Sequence, residues 1–281
     1  MQKRIAAIHD ISCFGRCSLT VALPIISSAG IECSVIPTAV LSTHTGGFDA
    51  YTYRDLTEDI SPVSNHWHRL GLGFDAIYTG FLGSFEQLGL ISDFIERFSK
   101  KGCITLVDPV MADNGQLYKI FSSDFPKGMQ KLCEKADIIV PNITEAVFLL
   151  SEAYKEGPYT EEYIKGLLKK LSVFGCKKIV LTGISFDDAQ LGAAAYDCIT
   201  GDLAFIMETK IEGFYHGTGD VFGSTLISAL TMGCSLNRAS EIAVGFTVSA
   251  IKRTKEAGTD VRYGVNFEEG LHKLYGEIQV K

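Results

Sequence analysis

Short β-rich runs alternate with longer helical patterns along most of the chain. Residues 4–8, 32–36, 76–78, 103–107, 137–140 and 178–181 are compact apolar stretches rich in Ile, Val and Leu. Between them, residues 18–28, 84–99, 124–134, 144–151 and 160–174 repeat their apolar positions at helical spacing. This alternation predicts an α/β fold, a doubly wound and mainly parallel sheet flanked by helices on both faces. In such sheets ligands bind beyond the carboxyl ends of the strands. The pattern changes after Gly183. Residues 193–198 and 203–208 flank Ile199-Thr200-Gly201-Asp202, a hairpin turn signal, so a small antiparallel edge is expected. Two long helices are expected from about Thr218 and Asn237, and a shorter one near Phe267. No repeat, low-complexity tract or Pro-rich linker marks a boundary, which predicts one domain over residues 1–281.

Composition narrows the classes. Hydrophobic residues make up 46% of 281, enough for a large core, and 26 basic against 33 acidic residues give a net charge of −7. That balance offers no general attraction to nucleic acid or to an anionic membrane. The N-terminus holds only residues 5–8 as an apolar run before His9 and Asp10, too short for a signal peptide. The run 242–251 falls far below the ~20 residues of a membrane span. A soluble, cytoplasmic protein is the expectation. The eight cysteines form no CxxC pair and read as reduced thiols. His9, Cys13 and Cys17 recur every four residues, which would align three metal ligands on a helix; a loop is expected after Ile8, and there the alignment would not form.

Candidate chemistry concentrates in Gly213-Phe214-Tyr215-His216-Gly217-Thr218-Gly219-Asp220-Val221-Phe222-Gly223. Buried helical spacing begins at Val221, so Gly217, Thr218 and Gly219 are expected at a helix N-terminus. Unpaired N–H groups and the positive dipole end there stabilise phosphate or a developing oxyanion. Asp220, one residue on, could take a proton from a substrate hydroxyl as its oxygen attacks phosphorus. A helix entered through a glycine turn with an acid near its start is the plainer alternative.

Further polar residues gather where strands are expected to end. Asp10 and Ser12 follow the first, Asp108 to Asp113 the fourth, Asn142 and Glu145 the fifth, Thr182 and Gly183 the sixth. Asn142 with Glu145 fits a capping box, an ordinary helix-starting role. Several such ends converging on one rim, with the Gly-Thr-Gly-Asp turn, favour a nucleotide–metal site. Carboxylates hold Mg²⁺ directly or through water, and Thr or Asn reaches phosphate oxygens. No GxxxxGK[ST] loop is present, and no GxGxxG follows the first strand.

The chain resembles the ribokinase-like superfamily, in particular its vitamin B6 (pyridoxal) kinase branch, over nearly its whole length. The likeness is carried by Leu41-Ser42-Thr43-His44-Thr45-Gly46, Thr79-Gly80-Phe81-Leu82-Gly83-Ser84, Asp108-Pro109-Val110-Met111, Pro141-Asn142 with Glu145, and Gly217-Thr218-Gly219-Asp220. It implies an ATP- and Mg²⁺-dependent kinase of a hydroxymethyl group, with Asp220 as catalytic base and Gly217, Thr218 and Gly219 as anion hole. It implies that Asp108, Asp113 and Glu145 serve the Mg–ATP phosphates, with Asn142, Thr182 and Gly183 nearby. The metal would fall to Glu145 and Asp108. Asp10, Ser12, Thr45 and Phe81 would lie on the vitamin side, and the relatives are commonly homodimers. Two departures stand out: Asp10 occupies the place where B6 kinases usually carry serine, and Phe81 the place of a frequent tyrosine. A carboxylate at 10 and His216 before the anion hole are similar to the hydroxymethylpyrimidine kinases of thiamin synthesis. A silent binding protein of the same fold is a third reading. Asp10 has a plainer alternative too, as a cap for a helix near Arg16 or a partner of that arginine.

Overall fold

A computed structural model describes residues 2–280. In chain order the elements are β1 (Arg4–Phe14), α1 (Leu19–Ser28), β2 (Glu32–Thr43), β3 (Tyr53–Asp55), α2 (Thr57–Arg69), β4 (Ala76–Thr79) and α3 (Phe85–Phe98). Then come β5 (Ile104–Val107), β6 (Ala112–Asp113), β7 (Gln116–Leu117), α4 (Phe125–Cys133), β8 (Ile138–Ile139), α5 (Ile143–Leu149) and α6 (Glu161–Leu171). The chain ends with β9 (Lys178–Ile184), β10 (Gln190–Asp197), β11 (Leu203–Thr209), α7 (Thr218–Thr231), α8 (Leu236–Glu256) and α9 (Leu271–Gln279).

Nine strands form one sheet in the order β11-β10-β9-β8-β5-β4-β1-β2-β3, and β6 with β7 makes a separate two-stranded ribbon. The six strands from β9 through β2 are mutually parallel, while β10 with β11 and β3 close the two edges antiparallel. The doubly wound expectation, with its antiparallel edge, is met. Period two explains why β1 is apolar throughout its first half. Ile5 and Ala7 enter the core beneath α1, α7, α8 and α9, whereas Ala6 and Ile8 enter the core beneath α3, α4, α5 and α6. Among the described residues, no helix is long and apolar enough to cross a membrane.

Connections from β1 and β4 leave in opposite directions, one toward β2 and the other toward β5. The crevice outside their carboxyl ends is therefore the switch point, where doubly wound sheets take ligands. Beyond it β1 departs from expectation. Instead of a loop after Ile8, the strand runs on to Phe14, pairing with β2 as far as Thr43. Its register slips between His9 and Ile11, opposite Pro37 and Val40, so β2 carries one extra residue there. Pro37 has no N–H to give the ladder, and a bulge is the usual accommodation. Thr182 and Gly183 also lie inside β9 rather than after it, because antiparallel pairing with β10 lengthens that strand.

Helix α7 starts from Gly217, which has φ +75°, a conformation that disfavours side chains. A Cβ at Gly217 would stand 2.0 Å from the Arg16 carbonyl oxygen, so the turn is pressed against the segment before α1. Gly217→Ala should displace that turn, lowering the melting temperature and cutting turnover at least tenfold. Thermal denaturation and steady-state assay check this; an alanine variant matching the parent in both would contradict the close packing described.

Candidate active site

The local sequence places an anion-binding turn at the switch point. Among the described residues no side chain caps α7, and its first acceptor–donor pair is the Gly217 carbonyl with the Val221 N–H. The amides of Thr218, Gly219 and Asp220 precede that bond and stay outside the helical ladder. Gly219 is exposed, and a Cβ there would meet nothing within 4 Å, so open space adjoins the turn. The Thr218 hydroxyl turns back to the Tyr215 carbonyl at 3.2 Å.

Asp220 lies in the first turn with 17% of its side chain exposed. Desolvation pushes its carboxyl up to about 7, reinforced by the charge of Asp10 and opposed by a hydrogen bond from the Ser18 N–H. A base poised near neutrality suits proton transfer from an alcohol. Asp10 and Ser12, alternate residues of the extended β1, are both buried and face the same way, with the Ser12 hydroxyl 3.4 Å from Asp10 Oδ2. Burial raises the Asp10 carboxyl, and the Ser18 and Ser12 hydroxyls partly offset the rise. Ser18 takes φ 58°, strained for a non-glycine residue, at the point where it reaches both acids. Arg16 is engaged elsewhere, its Nε 2.5 Å from Glu268, and α1 begins only at Leu19. Pairing of Asp10 with Arg16 is thereby corrected.

A second group of acids is coupled to Asp220 through Asp108. Asp108 follows β5 immediately and is buried; desolvation, then the charges of Glu145 and Asp220, hold its carboxyl far above the ordinary range. Glu145 is buried in the first turn of α5. It completes the expected capping box, Asn142 Oδ1 accepting from the Glu145 N–H at 2.8 Å and Glu145 Oε2 accepting from the Asn142 N–H at 2.9 Å. Its other oxygen accepts from the Met111 N–H at 3.2 Å, tying α5 to the segment that carries Asp108. Desolvation still raises the Glu145 carboxyl. Asp113 is half-buried in β6, also raised by desolvation. Asn142 donates to the Ala112 carbonyl at 2.9 Å and bridges to Thr182, while Gly183 stays exposed on the rim.

Could these acids hold Mg²⁺? Their crowding makes the rim hungry for a cation. Yet among the described residues, no three His, Cys, Asp or Glu side chains lie close enough to coordinate one ion. The donor set fits an ion whose remaining ligands are phosphate oxygens and water. It does not fit a resident protein-only metal.

Two residues are less engaged than their motifs imply. Thr45 is exposed in the loop after β2, and no hydrogen bond joins it to the rim among the described residues. That loop instead closes through neighbours: the His44 ring packs 4.8 Å from His216, and His44 Nε2 lies 2.5 Å from the Arg262 carbonyl oxygen. Phe81 is half-buried with its ring 5.7 Å from Phe121. Sequence reasoning also gave no site role to Cys17 or Tyr78. Both lie close enough to Asp220 to feel its charge. Tyr78 sits in a strand whose apolar neighbours made it read as core.

The chain is similar to known proteins over most of its length. A model of the phosphomethylpyrimidine kinase family matches residues 26–265. A Bacteroides thetaiotaomicron protein, solved as a candidate phosphomethylpyrimidine kinase in an orthorhombic form with pyridoxal, is 38% identical. That likeness has a TM-score of 0.93 and covers 98% of this chain and 96% of that one. Pyridoxal kinase from Lactobacillus plantarum is 29% identical with a TM-score of 0.90, covering 98% of each chain. The pyridoxine/pyridoxal/pyridoxamine kinase of Bordetella avium is 24% identical over 264 residues, 90% of this chain and 86% of that protein.

The raised carboxyl of Asp220 has a stability consequence. A carboxylate whose folded value lies above its ordinary 3.8 weakens the fold as pH rises from about 4 to about 7. Asp220→Asn removes that penalty. Its melting temperature should exceed the parent's by more at pH 8 than at pH 5. An equal difference at the two pH values would mean that Asp220 ionises normally.

Proposed function

The chain belongs to the phosphomethylpyrimidine kinase family, with the ribokinase-like fold, and we propose that it is a pyridoxal kinase phosphorylating the 5'-hydroxymethyl group of a B6 vitamer from ATP. One observation carries the reading. Asp220 lies in the first turn of α7, with no side-chain cap on that turn among the described residues; it feels the charge of Asp10, which pairs with Ser12, and Asp108 feels the charges of Asp220 and Glu145. The Bacteroides relative crystallised with pyridoxal supports the substrate class.

In this mechanism the substrate hydroxyl lies against Asp220, which accepts its proton as the oxygen attacks the γ-phosphorus. The bond from that phosphorus to the bridging oxygen breaks, and ADP leaves with the electron pair. The amides of Thr218, Gly219 and Asp220 stabilise charge on the transferring phosphoryl group, helped by the positive end of α7. Asp108 and Glu145 would face Mg²⁺ carried by the nucleotide, which neutralises phosphate charge; Asp113, Asn142, Thr182 and Gly183 would line the nucleotide side. Thr45 and Phe81 would border the vitamin. A homodimer and a cytoplasmic setting are proposed on family likeness alone.

Substrate choice is tested by ADP release with ATP, Mg²⁺ and each of pyridoxal, pyridoxine, pyridoxamine and hydroxymethylpyrimidine. At least one B6 vitamer should turn over. Turnover of hydroxymethylpyrimidine alone would place the chain in the thiamin branch, and turnover of none would make it a binding protein. On the best substrate, Asp220→Asn should fold and lose ~10²–10⁴ in kcat, the range for a positioned base.

Asp10 accounts for the departure at the ring side. A carboxylate accepts from a ring N–H or an amine, while a serine hydroxyl can also donate. Asp10→Ser should retain pyridoxal kinase activity. Asp10→Ala should raise the vitamer KM about tenfold or more, the worth of a charged hydrogen bond, and leave the ATP KM alone. An unchanged vitamer KM in Asp10→Ala would remove Asp10 from the pocket.

A further inference from the structure

One buried group next to the reaction centre has no part in the chemistry above. His9 is fully buried at the carboxyl end of the first half of β1. Among the described residues neither of its ring nitrogens has a hydrogen-bond partner. A buried imidazole with both nitrogens idle costs free energy, because water supplied those bonds in the unfolded chain. Its place is nonetheless sharply defined. Tyr78 packs edge-on at 4.4 Å between ring centroids. On another side the ring rests on Gly80, where a Cβ would lie 2.0 Å from Nδ1 and 2.5 Å from Cε1. Gly80 must therefore lack a side chain so that the ring can fit. What Nδ1 also faces is Asp220 Oδ1, 4.0 Å away.

We propose that His9 is a positioning residue for Asp220, its neutral imidazole offering the Nδ1–H to the carboxylate and fixing which oxygen is left for the substrate hydroxyl. This rests on the reading of Asp220 as the base. A neutral imidazole has one N–H to give, and the carboxylate stands 4.0 Å from Nδ1. The gap of 4.0 Å lies beyond a hydrogen bond, and such contacts tighten when a site closes on its reactants. Burial supports the neutral form, pulling the imidazole down to about 3. A protonated His9 would instead form an ion pair and quench the base; an uncharged donor orients it without removing its basicity. The remaining groups that Asp220 feels carry no competing cation. Among the described residues they are Asp10 from β1, Cys17 before α1, Tyr78 from β4, Asp108 after β5 and Tyr118 after β7. The arrangement gives Gly80 in the Thr79-Gly80 motif a physical reason: it is the floor on which the orienting ring lies.

The test compares His9→Leu, which keeps volume and removes both nitrogens, with His9→Asn, whose side-chain amide can return a donor near Nδ1. Each is assayed for kcat, both KM values and the acid limb of the kcat/KM pH profile, with Asp220→Asn as control. His9→Leu should lower kcat about 10- to 100-fold with both KM values within about twofold, the signature of a misplaced catalytic group. Its acid limb should move to higher pH, because losing a donor to the ionised carboxylate disfavours that form. His9→Asn should recover most of the rate and return the limb. Three outcomes overturn the proposal. One is a His9→Leu variant with parental kcat and limb; another is equal loss in both variants with an unmoved limb and a lowered melting temperature, which marks packing alone. The third is an active Asp220→Asn, which removes the base itself and leaves His9 nothing to position. Because that third outcome is read on Asp220→Asn alone, failure of the base is distinguished from failure of His9.

Discussion

Negative charge held out of water at the carboxyl rim of the sheet is the constraint on which the remaining features depend. Asp10, Asp108, Glu145 and Asp220 come from four different elements, and burial raises every one of their carboxyls. Left alone, such a cluster opposes folding, since desolvated like charges repel. The compensation is a set of oriented N–H and O–H dipoles. Glu145 takes the amides of Asn142 and Met111, Asp220 that of Ser18, and Asp10 the hydroxyls of Ser12 and Ser18. None of these partners is a cation. The rim therefore keeps a high affinity for positive charge and for protons, which suits the proposed reception of Mg–ATP and deprotonation of an alcohol.

The opposite polarity comes from one helix. Among the described residues no side chain caps the first turn of α7, and Asp220 lies in that same turn, so an anion is favoured beside this acid. Acids and amides can be so close because Gly217 presses against the Arg16 carbonyl and Gly80 yields to His9. Close backbone approach is the architectural requirement here, and glycine is the only residue that meets it. The capping box of α5 has a related duty. A residue that begins a helix also locks the strand end bearing Asp108, so its structural and functional readings are one interaction.

Much of this was legible in the sequence. Elements that bury an apolar face announced themselves through periodicity, and the helix start at Gly217 through its glycines and the spacing after Val221. The capping box was readable because both partners lie within four residues. Non-local features were hidden. The second half of β1 reads as a loop because it carries Asp10, Ser12 and Cys13, yet it is a strand since β2 continues beside it to Thr43. The segment holding β3 and α2 gave no prediction; α2 buries only Ile60 and Ser64, so its apolar stripe is faint. His9 looked like a metal-spacing coincidence, and only the sheet brings it to Asp220, 211 positions later by subtraction of the two residue numbers. Pairing of Asp10 with Arg16, suggested by nearness in sequence, gave way to an ion pair between Arg16 and Glu268 from the far end of the chain.

The fold itself raises the Asp220 carboxyl to near neutrality before any reactant arrives. Carbon-detected NMR titration of the carboxyl groups in the free protein, with Asp220 assigned by comparison with Asp220→Asn, measures this directly. A midpoint at about 7 is expected for Asp220. A midpoint near the ordinary aspartate value of about 4 would contradict it, because the carboxylate would then be a solvated helix-start acid with little basicity to offer.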